Sequence, residues 1–185
     1  MDSKTKKKIM ASGIKVLMNS PLSSIKGDQI FGLIEKFDKN IQQYFKDRDD
    51  LILGISNSFM SIVSEEIQKR SQESPQNASK RFLLLAKWLI TDRKRTRVFL
   101  NLIGESEQNK KLRKELKKSF KNQLAQVGEK LGDKAKPEDA QIVLATLWGL
   151  ALQHYIYSPQ EKKADSALKL KRFQFWLKKL EIHPK

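Results

Sequence analysis

The chain has no cysteine, only two histidines, five prolines and eight glycines among its 185 residues. Without cysteine there is neither a disulfide nor a thiolate metal site, which fits a reducing cytoplasm. Two isolated histidines, no glycine-rich phosphate loop after a strand and no paired carboxylates in an apolar setting leave no catalytic group to assign. No enzyme activity, cofactor or metal is therefore expected. No apolar run approaches the roughly eighteen residues of a membrane span. The start, MDSKTKKKIM, is basic, but the apolar positions after it are broken by Lys15 and Asn19, so it is not expected to be a signal peptide. Strand-like alternation, internal repeats and low-complexity segments are absent. Scarce proline and glycine, with apolar positions recurring every three to four residues, predict an all-α chain.

Charge is what the chain has in excess. Thirty-one per cent of residues are charged and the formal net charge is +16, with a mean hydropathy of −0.57. Such a balance predicts anionic company, nucleic acid first and a membrane surface second. Its distribution is uneven: residues 1–50 hold ten Lys/Arg against seven Asp/Glu, residues 51–185 twenty-seven against fourteen. The charge total thus does not locate a binding face. A dense run from Arg93 to Lys121 holds eleven Lys/Arg and three acidic residues. It reads as a solvated helix face, a flank touching DNA backbone, or a rim attracting an anionic effector.

Periodicity and caps predict about nine helices. The first runs from about Lys4 to Asn19, burying Ile9, Ile14, Val16 and Leu17, and stops at Ser20-Pro21. A second starts at Ser23-Ser24 and runs to about Ile34. Asp38 caps a short third ending at Tyr44-Phe45. Asp47 caps a long fourth, with Asp49 and Asp50 at the positive end of its dipole. After the break QESPQN come a fifth, Ala78 to Thr91 with Phe82, Leu85, Trp88 and Leu89, and a sixth, Arg93 to Ile103, ending at Gly104. The seventh, Ser106 to Leu131, carries a stripe of Leu112, Leu116, Phe120, Leu124 and Val127. Pro137 opens the eighth, Glu138 to Tyr157, which is apolar almost all round. A ninth covers about Ala164 to Leu180.

Within this frame the stretch NIQQYFKDRDDL, Asn40 to Leu51, is the most informative. Ile41 and Phe45 stand four apart, so both can face inward. Between and beside them Asn40, Gln42, Gln43, Tyr44, Lys46 and Arg48 crowd donors and acceptors into one exposed corner, a composition suited to base edges and phosphates. A short helix, an aromatic pair, a two-residue turn and an acidic helix start are how a helix-turn-helix headpiece hands over to a connecting helix.

Read with these residues, the helix order resembles the TetR family of bacterial transcriptional regulators. Ile41-Gln42-Gln43-Tyr44-Phe45 and Asp47-Arg48-Asp49-Asp50-Leu51 look like the end of that family's headpiece and the start of its connecting helix. TKKKIMASGIKVL is similar to its first helix, SSIKGDQI to the start of its second, and GDKAKPEDAQIVLATLWGLALQHYI to the approach to and passage through its eighth. One departure stands out: where the family turns through alanine-glycine-valine-serine, this chain has Leu33-Ile34-Glu35-Lys36-Phe37-Asp38, with no glycine.

The resemblance implies a helix-turn-helix DNA-binding domain over residues 1–48 and an effector-binding and dimerisation domain over residues 49–185. It implies a homodimeric, cytoplasmic regulator, a repressor, on a palindromic double-stranded DNA operator, released by a small apolar or amphiphilic effector, with no membrane partner. Lys39, Asn40, Gln42 and Gln43 are then candidates for the major groove, and Ser24, Tyr44, Lys46 and Arg48 for phosphates. Trp88, Phe99, Phe120, Trp148, His154 and Tyr155 are candidates for an effector pocket among helices five to eight; their plain alternative is a core. Ala145, Gly149 and Leu152, with Phe173, Trp176, Leu177 and Leu180, are candidates for a dimer seam. The rival is a lipid- or small-molecule-binding protein of the same fold whose headpiece no longer reads DNA. The altered turn and the modest charge of the first fifty residues motivate it.

Overall fold

A computed structural model of the chain describes residues 3–21, 24–25, 29–36, 41–73, 78–132, 136–157 and 170–175. Among them every regular element is helical: α1 (Ser3–Asn19), α2 (Gln29–Glu35), α3 (Ile41–Tyr44), α4 (Arg48–Glu73), α5 (Ala78–Thr91), α6 (Arg93–Glu105), α7 (Lys110–Leu131) and α8 (Pro137–Tyr157), then a helical stretch over 170–175. The all-α expectation holds. By compactness the chain forms two units, Met1–Ile62 with Arg97–Ser119, and Val63–Thr96 with Phe120–Lys185. The start of α4 and the segment 97–119 thus group with α1, α2 and α3 in the first unit.

The helix starts follow local chemistry. Asp47 caps α4: its Oδ1 accepts from the Asp50 N–H at 2.8 Å, and Asp50 Oδ2 accepts from the Lys46 N–H at 3.2 Å. Asp92 accepts from the Lys94 N–H at 2.9 Å. Asp139 accepts from the Lys136 N–H at 2.8 Å, one residue before Pro137. Some expected boundaries move. Helix two, expected from Ser23-Ser24, is α-helical from Gln29 among the described residues, with Ser24 and Ile25 outside the α-helix. Helix six runs through Gly104 to Glu105, since a glycine on an open helix face weakens a helix without ending it. Helix seven starts at Lys110, because Asn109 and not Ser106 supplies its cap, accepting from the Leu112 N–H at 2.9 Å.

In the first unit Ile9, Met10, Ile14 and Leu17 of α1 are buried, with Ile30, Phe31 and Ile34 of α2 and Leu51, Ile52 and Ile55 of α4. Val16, expected inside, is half-buried, and Met10 takes the inner position. Two glycines allow the close approach. A Cβ at Gly13 would lie 2.6 Å from Ile55 Cγ1, and one at Gly54 would lie 2.9 Å from both Met10 Sδ and Phe45 Cε1. These are distances that packed carbon atoms do not adopt.

The second unit is built on α5 against α8. Phe82, Leu85, Ala86 and Leu89 are its buried face of α5, and Ala140, Val143, Leu144, Leu147 and Ala151 that of α8. Val127 and Leu131 of α7 are buried in this unit too, and Gly128 brings α7 within 3.8 Å of the Ala140 Cβ, measured from an added Cβ. The expected α7 stripe shifts here. Phe120 and Leu124 are half-buried, while Gln123 is fully buried.

Candidate nucleic-acid interface

Phe45 sits at 3% exposure and Ile41 at 0%, so the corner is nailed to the first unit's core by two side chains one helical turn apart. The residues between them point away. Gln42, Gln43 and Lys46 are exposed and Tyr44 is half-buried. The Lys6 ammonium lies 5.2 Å from the centre of the Phe45 ring, adding a cation to the same corner. Gln42 donates to Glu35 Oε1 at 3.1 Å, linking α3 back to the end of α2. That bond restrains an exposed amide without occupying its carbonyl oxygen.

Ser24 is exposed, and its hydroxyl donates to the Pro21 carbonyl at 2.7 Å, leaving oxygen lone pairs turned to solvent. Lys39 and Asn40 lie outside the described residues. Arg48 departs from the expected phosphate role. Its guanidinium makes a two-pronged pair with Glu105 of α6, Nη1 to Oε1 and Nη2 to Oε2, the latter at 2.9 Å. Both side chains are mostly shielded, at 22% and 17% exposure. A phosphate would have to displace a well-matched carboxylate.

That pair belongs to a row the sequence reading missed. Arg97, Asn101 and Glu105 are four apart, hence on one face of α6. Arg97 donates to the carbonyls of Met18 at 3.2 Å and Asn19 at 3.4 Å. The Asn101 amide donates to those of Leu17 at 3.0 Å and Ser20 at 3.2 Å. Two α6 side chains thereby satisfy the carbonyls left open at the C-terminal end of α1, and the third holds the first residue of α4. The polar row at i, i+4 and i+8 was present in the sequence, but solvated rows share that spacing. A cleft of about 490 Å³ opens beside it, lined by Ile25, Arg48, Leu100, Asn101, Gly104, Glu105 and Gln108.

The effector candidates divide between the units: Phe99 lies in the first, and Trp88, Phe120, Trp148, His154 and Tyr155 in the second. All six are half-buried. Two are covered by arginines of α6. The Arg95 guanidinium stacks 4.3 Å from the Trp88 ring centre and donates to the Trp88 carbonyl at 2.7 Å. Arg93 stacks 5.0 Å from Tyr155 and donates twice to its carbonyl, at 3.0 and 2.6 Å. Burial pulls the Arg81 guanidinium below the usual arginine range, and it donates to the Lys130 carbonyl at 2.6 Å. The polar group that sequence reasoning missed is Gln123, fully buried with neither amide atom hydrogen-bonded among the described residues.

Of the dimer candidates, Ala145 is exposed, Gly149 half-buried and Leu152 39% exposed. With Ile142 at 46% and Ile156 at 58% they form one outward row on α8 at three-four-three-four spacing. Phe173 is corrected: at 4% exposure it packs within the chain and is not a surface anchor, whereas Phe175 is 62% exposed. Trp176, Leu177 and Leu180 lie outside the described residues. No described helix is long and apolar enough to cross a membrane.

The chain matches no protein-family model and no curated protein. The residues themselves carry the functional reading.

Proposed function

We propose that this protein is a homodimeric, TetR-like transcriptional regulator, a repressor that binds a palindromic operator and is released by a small apolar or amphiphilic effector. One observation carries the reading: Gln42 and Gln43 are exposed on a short helix whose flanking Ile41 and Phe45 are core residues. Amide side chains held outward on a rigid base suit adenine edges in a major groove. Lys46 and Ser24 beside them suit phosphates, which set register. Arg48 supports the corner from behind, through Glu105, and leaves phosphate contact to its neighbours.

The outward apolar row Ile142, Ala145, Gly149, Leu152 and Ile156 supports pairing of two copies. Its spacing is that of helices that pack along their length, and small residues at its centre permit close approach. A two-fold pair would set two recognition helices about one DNA turn apart. The row Arg97, Asn101 and Glu105 offers a route for control. Any effector that shifts α6 also shifts the end of α1 and the start of α4. Such an effector releases DNA only through different affinities for the two arrangements.

The test is a selection of duplexes from fragmented genomic DNA by the purified protein at physiological salt, followed by Gln42→Ala/Gln43→Ala. The wild type should enrich a roughly palindromic sequence. The double variant should lose that choice while keeping its melting temperature, because both side chains are exposed. Absence of any enriched sequence would sink the reading in favour of a small-molecule-binding protein of the same architecture, a reading that the pairing of Arg48 with Glu105 favours.

A further inference from the structure

The first half of α7 carries a lysine face that the fold does not use. Residues 110–119 hold six Lys/Arg and one acidic residue. Lys110, Lys111, Lys114, Lys117 and Lys118 are all exposed, and none forms a hydrogen bond or ion pair among the described residues. At 3.6 residues per turn these five occupy an arc of about 120° along about 12 Å of helix. The arc lies opposite Leu112 and Leu116, which are buried at 0% and 3%. Arg113 is not part of it: its guanidinium turns back to the carbonyls of Ser106 at 2.9 Å and Glu107 at 2.7 Å.

Such a face is electrostatically unfavourable on its own. Lys114 has a lysine at each of its helical neighbours, positions 110, 111, 117 and 118, and like charges at these spacings destabilise a helix. Ordinary exposed helices intersperse glutamate at those positions, and here only Glu115 is present. A polyanion would reverse the sign of that repulsion.

We propose that this face of α7 binds the phosphate backbone of duplex nucleic acid without regard to sequence. Duplex DNA presents one charge per about 3.4 Å of axis on each strand, so a face about 12 Å long matches about three to four phosphates of one strand. Lysines are point charges that suit phosphate and lack the planar fork with which arginine reads base edges. An anionic membrane fits less well. The apolar side of α7 is spent in the core, so no hydrophobic edge is left to enter the lipid interface. The inference is independent of Gln42 and Gln43, since it concerns duplexes of any sequence.

The experiment uses the full chain and a random-sequence duplex, with affinity measured by fluorescence anisotropy across a salt series. Two variants carry equal charge loss: Lys→Gln at 110, 111, 114, 117 and 118, and Lys→Gln at the exposed positions 69, 80, 87, 94 and 136. The α7 variant should bind several-fold more weakly, with a salt slope shallower by about 0.9 for each phosphate it no longer neutralises. The second variant should keep most of the wild-type slope. In the wild type, the duplex should protect the five α7 lysines from acylation, a readout that needs no variant. Equal loss in both variants would assign the effect to net charge and overturn the proposal. So would an unchanged α7 variant, unprotected lysines, or, with phosphatidylserine vesicles in place of the duplex, a loss found for the vesicles alone.

Discussion

In the first unit, Gly13 and Gly54 let α1, α4 and Phe45 close to contact, and the polar side chains of α6 end on backbone carbonyls or on Arg48. In the second, a fully buried Gln123 has no hydrogen bond among the described residues, and an apolar row on α8 faces outward. In one interior the groups that hold the exposed corner are partnered, although the buried Asn109 Nδ2 has no hydrogen bond among the described residues. The other contains an amide that is costly to bury bare and a surface whose chemistry suits a partner. The contrast is between groups partnered inside one unit and groups left without such partners in the other.

The largest effect expected on this contrast comes from removing the anchor of the corner. Phe45→Ala should cost about 3–5 kcal/mol, as for other buried phenylalanines. Chemical denaturation should record that loss, and any sequence choice should vanish with it. A loss under about 1 kcal/mol, the level of a surface change, would mean that the corner does not depend on this ring.

A smaller effect is expected at the link between α4 and α6. Arg48→Ala should cost about 1.5–3 kcal/mol, the range for hydrogen bonds to charged groups. A double-mutant cycle with Glu105→Ala should return a coupling energy rather than two additive losses. Additivity would show that the pair contributes nothing to the first unit.

The smallest expected change has the opposite sign. Gln123→Leu keeps a similar volume and removes an amide whose groups have no partner among the described residues. It should raise stability by about 1 kcal/mol, the low end of the cost of an unpartnered buried polar group, read as a higher melting temperature. Destabilisation instead would mean that the second unit satisfies this amide internally, and the contrast between the units would weaken.

Much of this was legible in the residues, and the exceptions have physical causes. The ends of the fifth helix, the caps at Asp47 and Pro137, and the inward Ile41 and Phe45 follow from local rules that act within a few residues. Gly104 and Ser106 misled because an exposed glycine is a weak stop, and Asn109 three residues later is the better cap. The α7 stripe misled because strict four-residue counting favours Leu124, whereas packing admits Gln123. Nothing about the side chain of Arg48 tells a phosphate-binding arginine from one paired with a carboxylate fifty-seven positions away.

Sequence alone determined that the chain is helical, where most helices begin, and that an amide-rich corner rides on two core residues. Hydrophobic periodicity and capping are encoded within one or two turns, so they can be read locally. Tertiary structure alone decided that Arg48 belongs to Glu105, that α6 closes the end of α1, and that Phe173 is interior while Ile156 is surface. Those outcomes depend on which distant groups meet, and burial sets their strength.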